Sequence, residues 1–232
     1  MNLYAILRNL HIGIGVLALA TFWVVAVLRK GTPLHRRVGA AYLLAMAGIV
    51  LTAIPLALFA FSRVNTVTGI FLLYLALVTG TPAWLAFRAV RRRDSFDGYR
   101  ALPYRPLAWL NLAAGLTLFV IGIRVGSPLL AGMSAIGLSL GYTMVRVARL
   151  QSAAPGWWLQ RHYTGMIGSG AAAHIAFLNL GLRHLAPASW ADAITYVAWF
   201  GPLIATTVVV ILLNRRYRRP GSSACGASGA TA

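Results

Sequence analysis

VGAAYLLAMAGIVLTAIPLALFAF, residues 38–61, contains no charged side chain, and is flanked by His35, Arg36 and Arg37 before it and by Arg63 after it. At about 1.5 Å of rise per residue, a helix of this length covers the roughly 30 Å hydrocarbon core of a bilayer. Unpaired backbone amides are too costly in lipid for an open strand or loop, so the stretch reads as a transmembrane helix. Pro55 interrupts it, but neighbouring helices in a bundle can satisfy a freed carbonyl, and the segment is kept as one span with a kink allowed.

The pattern repeats in both directions. Apolar runs at 10–28, 67–89, 106–123, 128–148, 163–183 and 193–213 bring the expected total to seven spans, with Pro82 and Pro202 treated like Pro55. Hydrophobic residues make up 59% of the chain and charged residues 10%. A soluble domain carries about a quarter charged residues. The expected fold is therefore all-α, a polytopic transmembrane bundle forming one domain over 1–219, followed by a small, polar, disordered tail at 220–232. The first run follows Arg8 and has no small-residue cleavage site, so it is taken as a retained span. No internal repeat supports an inverted-repeat transporter.

The net charge of +18 invites comparison with nucleic-acid binders, but the cations sit in short segments between apolar runs. There they act as topology signals and contacts for anionic lipid headgroups. Seventeen Lys and Arg residues fall on one side of the seven-span arrangement, and Arg8, Arg63, Arg124 and Arg183 fall on the other. The positive-inside rule then puts the N-terminus outside and the C-terminus inside. Trp157, Trp158 and Trp190 precede spans and suit the headgroup boundary. Cys225 is the sole cysteine, which excludes an internal disulfide and a thiolate metal site.

The carboxylates are Asp94, Asp97 and Asp192, each in a loop or at the edge of a span. A carboxylate-driven pump, a glycosidase pair and a carboxylate-bridged metal centre are thereby disfavoured. No nucleophile elbow or Ser-x-x-Lys pattern is present, and no catalytic residue is assigned. A permease would need a polar central lining, for which Asn111, Thr117, Asn179 and scattered Thr hydroxyls are the available side chains.

Five histidines remain: His11, His35, His162, His174 and His184. Imidazole is the usual axial ligand of b-type haem. His35 and His162 open the second and sixth spans at one cytoplasmic level, while His11 and His174 lie in the outer half. His184 falls in an outer loop. His174 is about 18 Å along its helix from His162 and rotated about 120° from it, so the two do not share a face. His11 and His174 differ in depth by about 8 Å before tilt. The plainer account is packing, because Gly165, Gly168, Ser169, Gly170 and Ala171 to Ala173 offer a surface on which another helix can approach closely.

His35 opens HRRVGAAY, residues 35–42, which has the form His-Arg-x-x-Gly-x-x-Tyr, and His162 opens His-x-x-x-Met-Ile-x-Ser. Together these resemble the bacterial membrane-protein family known as domain of unknown function 2306. The family shows Arg, Arg and Trp where this chain has Tyr163, Thr164 and Gly165. The resemblance implies a multi-pass protein of the bacterial inner (plasma) membrane with no assigned reaction. It carries His35, Arg36, Gly39, Tyr42, His162 and Met166 as motif positions. Arg36, beside His35, could meet a lipid phosphate or a haem propionate.

The functional expectation is an integral membrane protein with a His35–His162 polar site between the second and sixth spans. The alternatives are a bis-His b-type haem electron-transfer protein and a small-molecule permease. Expected partners are the bilayer and its anionic headgroups, without nucleic acid; a homo-oligomer or larger membrane complex is compatible with the same reading.

Overall fold

The computed structural model describes residues 2–185 and 190–217, without the side chains of 180–185, 191 and 192. Arg183, His184, Asp192 as a side chain, and the 220–232 tail lie outside the described residues. The described chain is all-helical: α1 (Leu3–Val27), α2 (Pro33–Arg63), α3 (Thr66–Arg91), α4 (Phe96–Arg100), α5 (Tyr104–Arg124), α6 (Pro128–Ala148), α7 (Trp157–Leu185) and α8 (Ala191–Tyr217). The seven long helices coincide with the seven apolar runs, and α4 is an unanticipated short helix between the third and fourth.

Local chemistry starts these helices where it should. The side chains of Asn2, Thr32, Asn65, Ser95 and Ser127 each accept a hydrogen bond from the backbone N–H three residues on, satisfying a donor that a helix start leaves free. Gly31, Gly126 and Gly156 supply the positive φ needed in three of the connections.

Six helices, α1, α2, α3, α5, α6 and α8, are long and apolar enough to cross a membrane. This is a membrane-embedded, multi-pass helical protein. Among its described side chains α7 does not reach the same hydropathy, because Gln160, Arg161, His162, Ser169 and His174 interrupt it. α7 packs against α3, α8 and α1, and most of these polar side chains are hydrogen-bonded: His162 to the Ala86 carbonyl of α3, Ser169 to Tyr42 of α2 and His174 to the Gly170 carbonyl of its own helix. Gln160 and Tyr163 both donate to Asn214 Oδ1 of α8, at 2.8 and 2.6 Å.

α3 occupies the centre, with α2, α5, α6 and α7 around it. Of its most apolar window 44% is buried, against 11% in α1 and in α8. α5 and α6 form a tight antiparallel hairpin. A Cβ at Gly122 would come within 2.6 Å of the Ala131 amide nitrogen, and one at Gly141 within 2.7 Å of the Ala108 carbonyl, so backbone meets backbone. The Tyr74 hydroxyl of α3 donates to the Met133 carbonyl at 2.7 Å and accepts from the Gly137 N–H at 2.8 Å. Those two groups stand one turn apart in α6, which fixes α3 against it.

α4 is tied down by arginine. Arg88 donates to the carbonyls of Tyr99, Gly98 and Ala101. Arg100 bonds Asp97 and the Val147, Ala148 and Leu150 carbonyls at the end of α6, where a cation complements the helix dipole. Trp157, expected as an interfacial anchor, packs on Phe96 and Tyr99 with centroids 5.0 and 4.9 Å apart. It is thus a packing residue of the α4 cap. Burial of the Tyr99 phenol pushes its pKa above the ordinary tyrosine range.

Candidate functional site

The two quoted motifs are joined by one side-chain pair at corresponding positions. His35 begins α2 and Tyr42 follows seven residues later; His162 is near the start of α7 and Ser169 follows by the same interval. Tyr42 and Ser169, both fully buried, share a 2.8 Å hydrogen bond. Ser169 Oγ also donates to the Met166 carbonyl at 3.0 Å. Its one hydrogen is committed there, so Tyr42 is the donor of the bond between helices. Tyr42, Met46 and Met166 then join Ala18, Ala83 and Ala86 in one cluster drawn from α1, α2, α3 and α7.

One level away, His35 stands on α2 and His162 on α7, and no hydrogen bond joins the two rings among the described residues. His162 Nδ1 meets the Ala86 carbonyl of α3 at 3.2 Å. A ring nitrogen at a carbonyl must carry the proton, which leaves Nε2 with its lone pair. The Val25 carbonyl at the end of α1 accepts from Lys30 Nζ at 2.7 Å. His35 Nδ1 is buried with no hydrogen-bond partner among the described residues. Partial burial draws the Lys30 ammonium below the usual lysine range. Arg36 is exposed, and Gly39 has only a Val25 methyl near its missing Cβ, at 4.0 Å.

The outer histidines take separate environments. His11 Nδ1 lies 2.7 Å from Thr52 Oγ1, which itself donates to the Gly48 carbonyl of α2. His174 Nδ1 lies 2.8 Å from the Gly170 carbonyl one turn back. Its ring stands edge-on to Phe22 and Trp23 of α1, with centroids 5.2 and 5.5 Å away. His11 lines the large cavity described next and His174 does not.

The small-residue run of α7 divides by direction. A Cβ at Gly165 would meet the Pro82 carbonyl oxygen of α3 at 2.5 Å, and one at Gly170 would meet Phe22 of α1 at 2.3 Å. Gly168, Ala171 and Ala172 instead border open space: a partly open cavity of about 710 Å³ lined by α1, α2, α3 and α7, with α6 and α8 behind. Its walls are aliphatic and aromatic, among them Ile49, Leu56, Leu75, Ala172, Phe177 and Trp199. His11, Thr68, Thr79 and Asn179 supply the polar interior, and Tyr4, Arg8 and Arg63 stand at the end where α1 begins and α2 ends. Met46 belongs both to the cavity wall and to the Tyr42–Met166 cluster, which closes the opposite end.

Of the polar residues considered for a permeation path, Asn179 and the hydroxyls of Thr68 and Thr79 reach this cavity. Asn111 is fully buried elsewhere and donates to Thr81 Oγ1 at 3.1 Å; Thr117 is exposed. No group of three His, Cys, Asp or Glu side chains able to hold a metal ion occurs among the described residues. The cavity and its Tyr4–Arg8–Arg63 rim were not foreseen from sequence, although Tyr4, Arg8, His11, Gly15 and Leu19 do recur at helical spacing on one face of α1. Compared with family models, with curated proteins and with solved structures, the chain matches none.

Proposed function

We propose that this is a seven-span protein of the bacterial inner membrane, N-terminus outside and C-terminus inside, that binds a lipophilic small molecule in the cavity between α1, α2, α3 and α7. The observation carrying this reading is the cavity itself. Its volume of about 710 Å³ falls within the roughly 300–1,000 Å³ typical of small-ligand pockets, and apolar walls with a few polar groups are the usual composition. The distribution of cations, seventeen against four, supports the orientation. In that orientation the cavity occupies the outer half of the bundle, while the His35–His162 level and the Tyr42–Ser169 bond form a polar latch between α2 and α7 on the cytoplasmic side. The likeness of the two motifs to domain of unknown function 2306 is carried forward on the same footing, as are anionic headgroup contacts and assembly into an oligomer.

The test is extraction of the purified full-length protein with organic solvent and mass spectrometry of the extract. Wild type should release a lipophilic compound in near-stoichiometric amount, and Ala172→Phe and Ala53→Phe, which fill the cavity from α7 and α2, should not. Equal recovery from all three would overturn the reading.

A second reading is a b-type haem held by His35 and His162. It is favoured by the His162 ring, whose Nδ1 is engaged by the Ala86 carbonyl, the usual way a protein orients a metal-ligating histidine. Haem bound there would supply one-electron redox chemistry, with the exposed Arg36 beside His35 available to a propionate. A reduced-minus-oxidised spectrum with Soret and α bands, lost in His35→Ala and in His162→Ala, would support it. A colourless protein from haem-replete cells would end it.

A further inference from the structure

We propose that the cavity's ligand is an anionic, single-chain amphiphile, a long-chain carboxylate whose head sits at Arg8 and Arg63 and whose chain fills the space between α1, α2, α3 and α7. This rests on the cavity being a ligand site, as argued above, and adds the charge and shape of what it takes.

Three observations converge. First, Arg8 and Arg63 lie at the rim of the same apolar cavity, and neither has a carboxylate partner among the described residues. The ion pairs found there are Arg93–Asp94 and Arg100–Asp97, both around α4. Arg8 contacts only the Asn9 side chain, at 3.4 Å, and Arg63 lies over the rings of Tyr4 and Phe59, 5.7 and 5.5 Å from their centroids. Second, cations on this side are disfavoured by the positive-inside rule, and the side holds four of twenty-one. Two of those four stand at this rim. Third, the wall changes character with depth. Below the arginines, His11 and Thr68 give way to Ile49, Leu75 and Ala172, with Thr79 as the one hydroxyl further down, and Met46 closes the far end. A guanidinium pair favours a carboxylate or phosphate, and the aliphatic wall favours a hydrocarbon chain. A volume suited to one small ligand favours one chain over the two of a membrane phospholipid.

The experiment uses cis-parinaric acid and its methyl ester as fluorescent probes, titrated onto the purified full-length protein in detergent. Signal from the cavity-filled variants Ala172→Phe and Ala53→Phe is subtracted to remove partition into micelles, and each variant's thermal unfolding is followed to establish that it is folded. The acid should bind at least tenfold more tightly than the ester. In Arg8→Gln/Arg63→Gln the preference should fall to within about twofold, with ester binding unchanged. Equal binding of acid and ester to wild type, or an acid preference that survives the double substitution, would overturn the anionic assignment and leave the cavity reading standing, a neutral lipid then being the ligand. A dialkyl phosphatidic acid displacing the probe as well as oleate does would overturn the single-chain assignment. Failure of both probes to bind wild type above the filled variants would overturn the cavity reading and this inference together.

Discussion

Tyr42 donates a 2.8 Å hydrogen bond to Ser169, and the two residues stand at the same interval after His35 and His162, so one buried bond ties corresponding positions of α2 and α7, although both helices pack on α3 rather than on each other. The bond is buried and asymmetric, since Ser169 keeps a second partner in the Met166 carbonyl. Tyr42→Phe should therefore lower stability by less than about 1 kcal/mol, the usual worth of a hydrogen bond between membrane helices. Ser169→Ala leaves a buried phenol without an acceptor and should cost about 1–3 kcal/mol. The double substitution should resemble Tyr42→Phe. Thermal unfolding in detergent measures all three, and a larger loss for Tyr42→Phe than for Ser169→Ala would contradict the assigned donor.

Gly165 and Gly168 lie on one helix three residues apart, yet only the first is pressed against a neighbour. Gly165→Ala sets a methyl against the Pro82 carbonyl and should force α7 from α3 at a cost of about 1–3 kcal/mol. Gly168→Ala, whose nearest atom is Pro82 Cβ at 3.7 Å, should change the unfolding temperature little. Equal effects would show that α7 is rotated from the orientation described here.

Arg88 serves three carbonyls at once through a planar fork that a lysine cannot copy. Arg88→Lys should loosen α4, with a loss of about 2 kcal/mol or more expected for charged hydrogen bonds. Hydrogen exchange should rise over residues 93–103 while that of α5 and α6 stays as in wild type. Unchanged exchange across 93–103 would mean that aromatic packing of Phe96, Tyr99 and Trp157 holds α4 without the arginine.

Cys225, the sole cysteine, offers a test of orientation without mutagenesis. A membrane-impermeant maleimide should leave it unlabelled in intact cells and label it after permeabilisation. In a Cys225→Ser background, Val125→Cys, at an exposed position of the α5–α6 connection, should show the reverse. Labelling of Cys225 in intact cells would place the C-terminus outside.

Much of this fold is visible in the sequence because the bilayer imposes its thickness on each apolar run, and charge marks the connections. Which helices touch is harder to read. Lipid and protein neighbours are both apolar, so Leu44, which is exposed, and Leu118, which is buried, look alike. Small residues carry more information: Gly137 and Gly141 mark the α6 contact with α5, and Gly165 and Gly170 mark two contacts of α7. The motif pair of α2 and α7 was read for His35 and His162, whereas the hydrogen bond between the two helices is made by Tyr42 and Ser169. His174 looked like a ligand candidate because the aromatic pair beside it, Phe22 and Trp23, belongs to a helix far away in sequence. The cavity was not legible at all, since empty space arises from how four helices diverge and no single residue signals it.

A high-resolution structure of the full chain in lipid nanodiscs tests the central claim most directly. It should show elongated non-protein density between Arg8 and Arg63 at one end and Met46 at the other, bounded by Ile49, Leu75 and Ala172. A bundle in which those walls have closed on one another, or a space holding only ordered water, would contradict it.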